Sequence, residues 1–213
     1  MTRLLLVRHG ESQANKDRYF AGQVDPPLTE LGLRQAQCTA KFLAEAYRID
    51  AVIASDLQRA AETGRQAALA AGVPFSVDPG LREIYAGRWE GVAFDRLWEV
   101  DPEAQRLWNQ DIGHARCPGG ESVEELAHRI YSTVARICEE NPGKTLVLAC
   151  HATPIRVLMW HMSGRDLGYV QQIPWVSNAS VTEVTYENGT LTPVKVCQDA
   201  HLQDMVTKLP TKV

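Results

Sequence analysis

Two histidines and two arginines stand at or just past the ends of three short apolar runs, and those residue types together can bind and attack an anionic group. Residues 4–7 run into Arg8-His9-Gly10, and residues 51–54 run into Ser55-Asp56 with Arg59 close behind. Residues 145–150 run into His151, followed by Thr153 and Pro154. Apolar runs of this length read as buried strands, and open α/β sheets bind ligands outside the carboxyl ends of their strands. The four side chains are therefore expected to meet at one sheet edge, as a phosphate or carboxylate site with an imidazole available as nucleophile. Thr153 is expected as a helix N-cap and Pro154 as the first helical residue. That would bring the partial positive charge of a helix N-terminus to the same place.

The elements that must position these residues follow from hydrophobic periodicity. Residues 29–47 read as a helix with Ala36, Ala40, Leu43 and Tyr47 on its apolar face, and 57–71 as a second helix stopped by Gly72. In 122–140, Val123, Leu126, Ala127, Ile130, Val134 and Ile137 form one stripe, and Ser122 with Glu125 makes a capping box. A further helix is expected from the 145–150 run to about Met162. Residues 180–186 and 190–196 flank Asn188-Gly189, a strong hairpin signal. The alternation of apolar runs and amphipathic segments predicts an α/β fold. Residues 1–213 are expected to form one domain, with an irregular excursion over the sheet at about 85–120. It carries Trp89, Trp98 and Trp108, expected to pack rather than bind, although one or two can line the entrance. The tail from Gln198 onward offers no pattern.

With 22 basic and 26 acidic residues the net charge is −4, which argues against a general nucleic-acid binder. No stretch approaches the roughly 18 apolar residues of a membrane span, and the apolar run near the N-terminus is too short for a secretory leader. The five cysteines are scattered, odd in number and without a C-x-x-C pair, the pattern of a reduced cytoplasmic protein rather than a disulfide or zinc scaffold. A homodimer is compatible with the sequence.

The segment Leu6-Val7-Arg8-His9-Gly10-Glu11-Ser12 resembles the signature of the histidine phosphatase superfamily, also called phosphoglycerate-mutase-like. The resemblance continues through Asp25-Pro26-Pro27-Leu28-Thr29-Glu30-Leu31-Gly32, Ser55-Asp56-Leu57-Gln58-Arg59-Ala60 with Thr63, Leu81-Arg82-Glu83, Gly87-Arg88-Trp89-Glu90-Gly91 and His151. It implies a three-layer α/β/α sandwich with a mostly parallel central sheet, and a mechanism needing no metal or other cofactor. His9 is implied as the nucleophile that becomes phosphohistidine, and Arg8 and Arg59 as the groups holding the phosphoryl oxygens. His151 is implied to donate to the transferring group. Glu83 is implied as the acid for the leaving alcohol and then the base for water. The loop from Asn15 to Val24 corresponds to the substrate side, with Asn15, Gly22, Gln23 and Ala152 as substrate-binding positions. Ala152 stands where the family commonly has Gly.

Single residues also have plain readings. Gly119-Gly120-Glu121-Ser122 is explained as a turn and capping box, with a supporting contact from Glu121 or Ser122 left open. His114, His128, His161 and His201 fall outside the matched motifs and read as surface or structural residues. A zinc site of His9, His151 and Glu83 is disfavoured because Arg8 and Arg59 would crowd a dication. The run after Glu83 resembles the phosphatase branch rather than the mutases. A phosphatase of small phosphorylated metabolites is therefore expected. The alternatives are a cofactor-dependent phosphoglycerate mutase and a non-catalytic phosphate-binding module.

Overall fold

The computed structural model describes residues 1–207. Its elements in chain order are β1 Thr2–Arg8, α1 Gln13–Asp17, α2 Glu30–Ala46, β2 Ala51–Ala54, α3 Gln58–Ala71 and β3 Phe75–Val77. There follow α4 Leu97–Val100, α5 Pro102–Gln110, α6 Val123–Glu140, β4 Thr145–Cys150, α7 Ala152–Ser163, β5 Val181–Glu187 and β6 Thr190–Gln198. The strands form one sheet in the order β3-β2-β4-β1-β5-β6. β3, β2, β4 and β1 run parallel, while β5 and β6 are antiparallel at one edge.

The parallel strands are apolar on both faces because both faces are covered. Leu4, Leu6, Leu146 and Leu148 pack with Leu126, Ile130 and Val134 of α6 and with Ile155 of α7. Leu5, Val7 and Val147 pack on the other side with Leu43 of α2 and Ala67 of α3. This is the three-layer α/β/α arrangement with a mostly parallel sheet. Local chemistry sets the ends: Ser122 and Glu125 close the capping box of α6, and Gly72 ends α3 in the left-handed region. Asn188 and Gly189 both take positive φ in the β5–β6 turn, as a tight hairpin of this type requires.

Two expectations need correction, and one segment that offered no pattern is structured. His151, not Thr153, is the N-cap of α7; the chain is still extended there (φ −131°, ψ 174°), and Pro154 falls inside the first turn, where no N–H partner is lost. Trp98 is 56% exposed, unlike buried Trp89 and Trp108, because α4 turns it away from the aromatic cluster. The segment after Gln198 is structured as a 3-10 turn, Ala200–Met205, which lies on α2: His201 stacks on Phe42, and Gln35 donates to the Met205 carbonyl. The end of that tail, residues 208–213, lies outside the described residues.

Candidate active site

Strand register brings the chemistry together. Arg8 is opposite Cys150 and Ala54 is opposite Ala149, so the residues after β1, β4 and β2 emerge side by side. The His9 amide donates to the Cys150 carbonyl and the Ser55 amide to the Ala149 carbonyl. The rings of His9 and His151 meet edge-on at 5.2 Å between centroids. The loop after His9 is pressed against α2 so closely that only glycine fits: a Cβ on Gly32 would lie 1.9 Å from the Glu11 carbonyl oxygen.

His9 is buried, and its Nδ1 lies 2.6 Å from the Gly10 carbonyl oxygen. A carbonyl only accepts, so Nδ1 carries the hydrogen and the neutral ring keeps its lone pair on Nε2. Burial, then Arg59 and Arg8, holds the imidazole pKa well below its ordinary 6.5. Burial and Arg59 depress His151 likewise. The Nε2 of His151 pairs with Ser55 Oγ at 2.9 Å. That oxygen also accepts the Leu57 amide. The Nδ1 of His151 is buried with no partner among the described residues. The site therefore offers one imidazole with its lone pair on Nε2 and a second neutral imidazole beside it.

Arg8 and Arg59 are each only 1% exposed. Arg8 donates to the Val176 carbonyl, and its Nε has no partner among the described residues. Arg59 donates to the carbonyls of Val24 and Gly22. Neither has an ion-pair partner among the described residues. Burial lowers the Arg8 pKa to about 10, and lowers that of Arg59 as well. A buried cation lacking a paired anion costs several kcal/mol, so this pair of guanidinia is arranged for an anion that arrives from outside.

Glu83 follows the 3-10 turn Pro79–Leu81 and is half-buried. Its carboxylate accepts from the Ile84 amide at 2.8 Å and from the Thr153 amide, in the first turn of α7, at 3.3 Å. Burial nevertheless pushes its pKa above the ordinary 4.5, outweighing those bonds and Arg59. A carboxyl that retains a proton beside an anion site can serve as an acid.

These residues line one pocket open to solvent, with Arg8, His9, Arg59 and Glu83 in its lining together with Tyr19, Phe20, Phe94, Trp108 and Trp175. Asn15, Gly22 and Ala152 also line it. Gln23 does not: its side chain turns away, its amide donating to the Glu83 carbonyl while its oxygen accepts from Arg82. His151 sits behind the lining, against His9. Among the described residues, no three His, Cys, Asp or Glu side chains are grouped to hold a metal ion.

Sequence reasoning missed several contributors. Trp175 comes from an irregular stretch with no periodicity, and its ring is backed by the guanidinium of buried Arg156 at 4.1 Å. Asn178 donates to the His9 carbonyl and to Asn15 Oδ1 across more than 160 residues of chain, which no local pattern signals. Ser55 stood inside a quoted motif, and its position directly after β2 was the available clue.

The family model described as the histidine phosphatase superfamily (branch 1) matches residues 4–199. A bifunctional protein of Mycobacterium tuberculosis is 40% identical over 158 residues, 74% of this chain; the chain spans only 43% of the length of that relative. A probable phosphoglycerate mutase of Cronobacter sakazakii is 33% identical, with 89% of this chain and 87% of that protein covered. Among solved structures, YhfR of Bacillus stearothermophilus superimposes with a TM-score of 0.90 at 30% identity, covering 95% of this chain and all of that one. A mycobacterial glucosyl-3-phosphoglycerate phosphatase, solved with VO3, gives 0.83 at 26% identity, covering 92% of this chain and 99% of that one.

Proposed function

The chain belongs to the histidine phosphatase superfamily, and from that premise we propose that it hydrolyses small phosphomonoesters through a phosphohistidine on His9, without a metal. The observation that carries the reading is the pair of buried guanidinia without paired carboxylates beside a neutral imidazole lone pair. In the first step His9 Nε2 forms a bond to phosphorus, the ester P–O bond breaks, and the departing oxygen takes the proton of Glu83. Arg8 and Arg59 hold the equatorial oxygens and His151 donates to one of them as charge spreads. In the second step water gives a proton to Glu83 and attacks phosphorus, the N–P bond breaks, and inorganic phosphate leaves. The segment at 85–120 would cover the substrate, contributing Phe94 and Trp108 to the walls.

Hydrolysis is favoured over mutase chemistry by the cavity's charges. Its basic lining residues are Arg8, His9 and Arg59, all engaged by the transferring phosphoryl group in this reading. A bisphosphate intermediate would need further cations for its second phosphate and its carboxylate. A non-catalytic module is disfavoured because Arg8, His9, Arg59, Glu83 and His151 are all present.

The test is turnover of a panel of phosphomonoesters in EDTA, with phosphoglycerate isomerisation followed alongside and protein-bound, acid-labile phosphate trapped by quenching. Phosphate release with labelling that vanishes in His9→Ala is the expected result. Net isomerisation well above release would make the protein a mutase, and activity restored only by zinc would overturn the metal-free mechanism.

A further inference from the structure

The part of the site that the proposed reaction leaves unexplained is a buttress behind Glu83. The loop carrying Glu83 has no strand or α-helix to hold it, yet an acid catalyst must be fixed within a fraction of an ångström. Its main chain is held instead by one side chain of α6. The guanidinium of Arg129 donates to three carbonyls of that loop: Gly80 at 2.9 Å, Arg82 at 3.0 Å and Glu83 itself at 3.2 Å. The same guanidinium is gripped by both oxygens of Glu121 at 2.8 Å each. Glu121 in turn accepts the Tyr85 amide through its side chain and donates its own amide to the Tyr85 carbonyl. All five Arg129 donors are thus engaged, three on the carbonyls of one short loop and two on the carboxylate that braces it, and the planar fork fixes their relative angles. From the other side, Arg82 pairs through two nitrogens with Asp56 at the end of β2. Gln23 donates a second bond to the Glu83 carbonyl.

We propose that Arg129, braced by Glu121, is a positioning residue that aims Glu83 at the leaving-group oxygen. The proposal rests on the phosphatase reading above. It predicts a defect in acid catalysis rather than in phosphate binding, since Arg129 does not line the cavity.

Single-turnover release of the alcohol from p-nitrophenyl phosphate and from an alkyl phosphate such as glycerol 3-phosphate separates the two. p-Nitrophenolate leaves without help, whereas an alkoxide needs the proton, and general acid catalysis contributes about 10²–10⁴-fold. Arg129→Met should slow alkyl release at least about 30-fold while leaving the p-nitrophenol burst within about threefold. Glu83→Gln should show the same signature, and the double variant should be no slower than Glu83→Gln alone. Arg129→Lys, which retains the charge but not the fork, should fall between wild type and Arg129→Met and covers the case in which the methionine variant does not fold. Equal losses on both substrates, or a double variant slowed by the product of the single effects, would overturn the positioning role. A wild-type protein that releases alcohol from neither substrate would overturn the phosphatase reading itself.

Discussion

Arg8→Met should leave the empty protein as stable as wild type or more so, while removing its activity. Arg8 is fully buried, and the fall of its pKa from the ordinary guanidinium range to about 10 means that the folded chain carries the cation at a cost of about 3 kcal/mol. The sign is fixed by linkage. The folded state holds this proton less tightly than the unfolded state, so the whole cost is present at neutral pH and is relieved only as pH climbs past 10. Replacement by methionine abolishes that cost and orphans the Val176 carbonyl, to which Arg8 donates at 2.6 Å. Leaving one buried acceptor unpaired costs about 1–3 kcal/mol. The balance is zero to about 2 kcal/mol in favour of the variant, or a Tm rise between zero and about 8 °C for a chain of this size. Turnover should fall by about 10²–10³-fold, the cost of removing one preorganised donor to transition-state charge. Thermal denaturation with and without vanadate reads both effects. Wild type at a hundred times the dissociation constant should gain about 2.7 kcal/mol, and the variant little at the same concentration. A variant destabilised by more than about 2 kcal/mol, or one still stabilised by vanadate as wild type is, would refute the reasoning and make Arg8 an ordinary structural clamp.

Two further outcomes follow from the same geometry. Phosphorylation of His9 requires a neutral imidazole, kept neutral well below pH 6.5, and a protonated Glu83, whose pKa is raised. Single-turnover kcat/KM on alkyl phosphates should therefore decline as pH rises through the Glu83 pKa, with an acid limb well below 6.5; a rate still climbing between pH 7 and 9 would sink the assignment. Gly32→Ala would force a methyl group into the Glu11 carbonyl and displace the loop after His9. A loss of at least about 2 kcal/mol in chemical denaturation is expected, and an unchanged midpoint would mean that the loop moves freely.

What could be read along the chain was whatever depends on neighbours in sequence. The amphipathic stripe and capping box of α6, the stop at Gly72 and the Asn188-Gly189 turn are set by residues a few positions apart, and they appear in the structure as expected. The ends of β1, β2 and β4 were legible for the same reason, so Arg8, His9, Arg59 and His151 were expected at one sheet edge. The quoted motifs added Glu83 as their partner. Where α7 starts was misjudged by two residues, because Thr153 and Pro154 make a plausible cap locally while the extended backbone set by the sheet continues through His151. Gln23 looked like a substrate contact in a loop motif, but its orientation depends on Arg82 and the Glu83 carbonyl, roughly sixty residues away. Tertiary structure alone decided the protonation chemistry. Burial keeps both histidines neutral, leaves two guanidinia without paired carboxylates and raises Glu83. Those effects come from desolvation and, at the histidines, from the charge of Arg59, and side chains such as Ser55, Arg129, Trp175 and Asn178 meet the site only after the strands have paired. Sequence determined which groups stand at the sheet edge; the folded packing determined their charge, because a pKa responds to solvent exclusion and neighbouring charge in three dimensions.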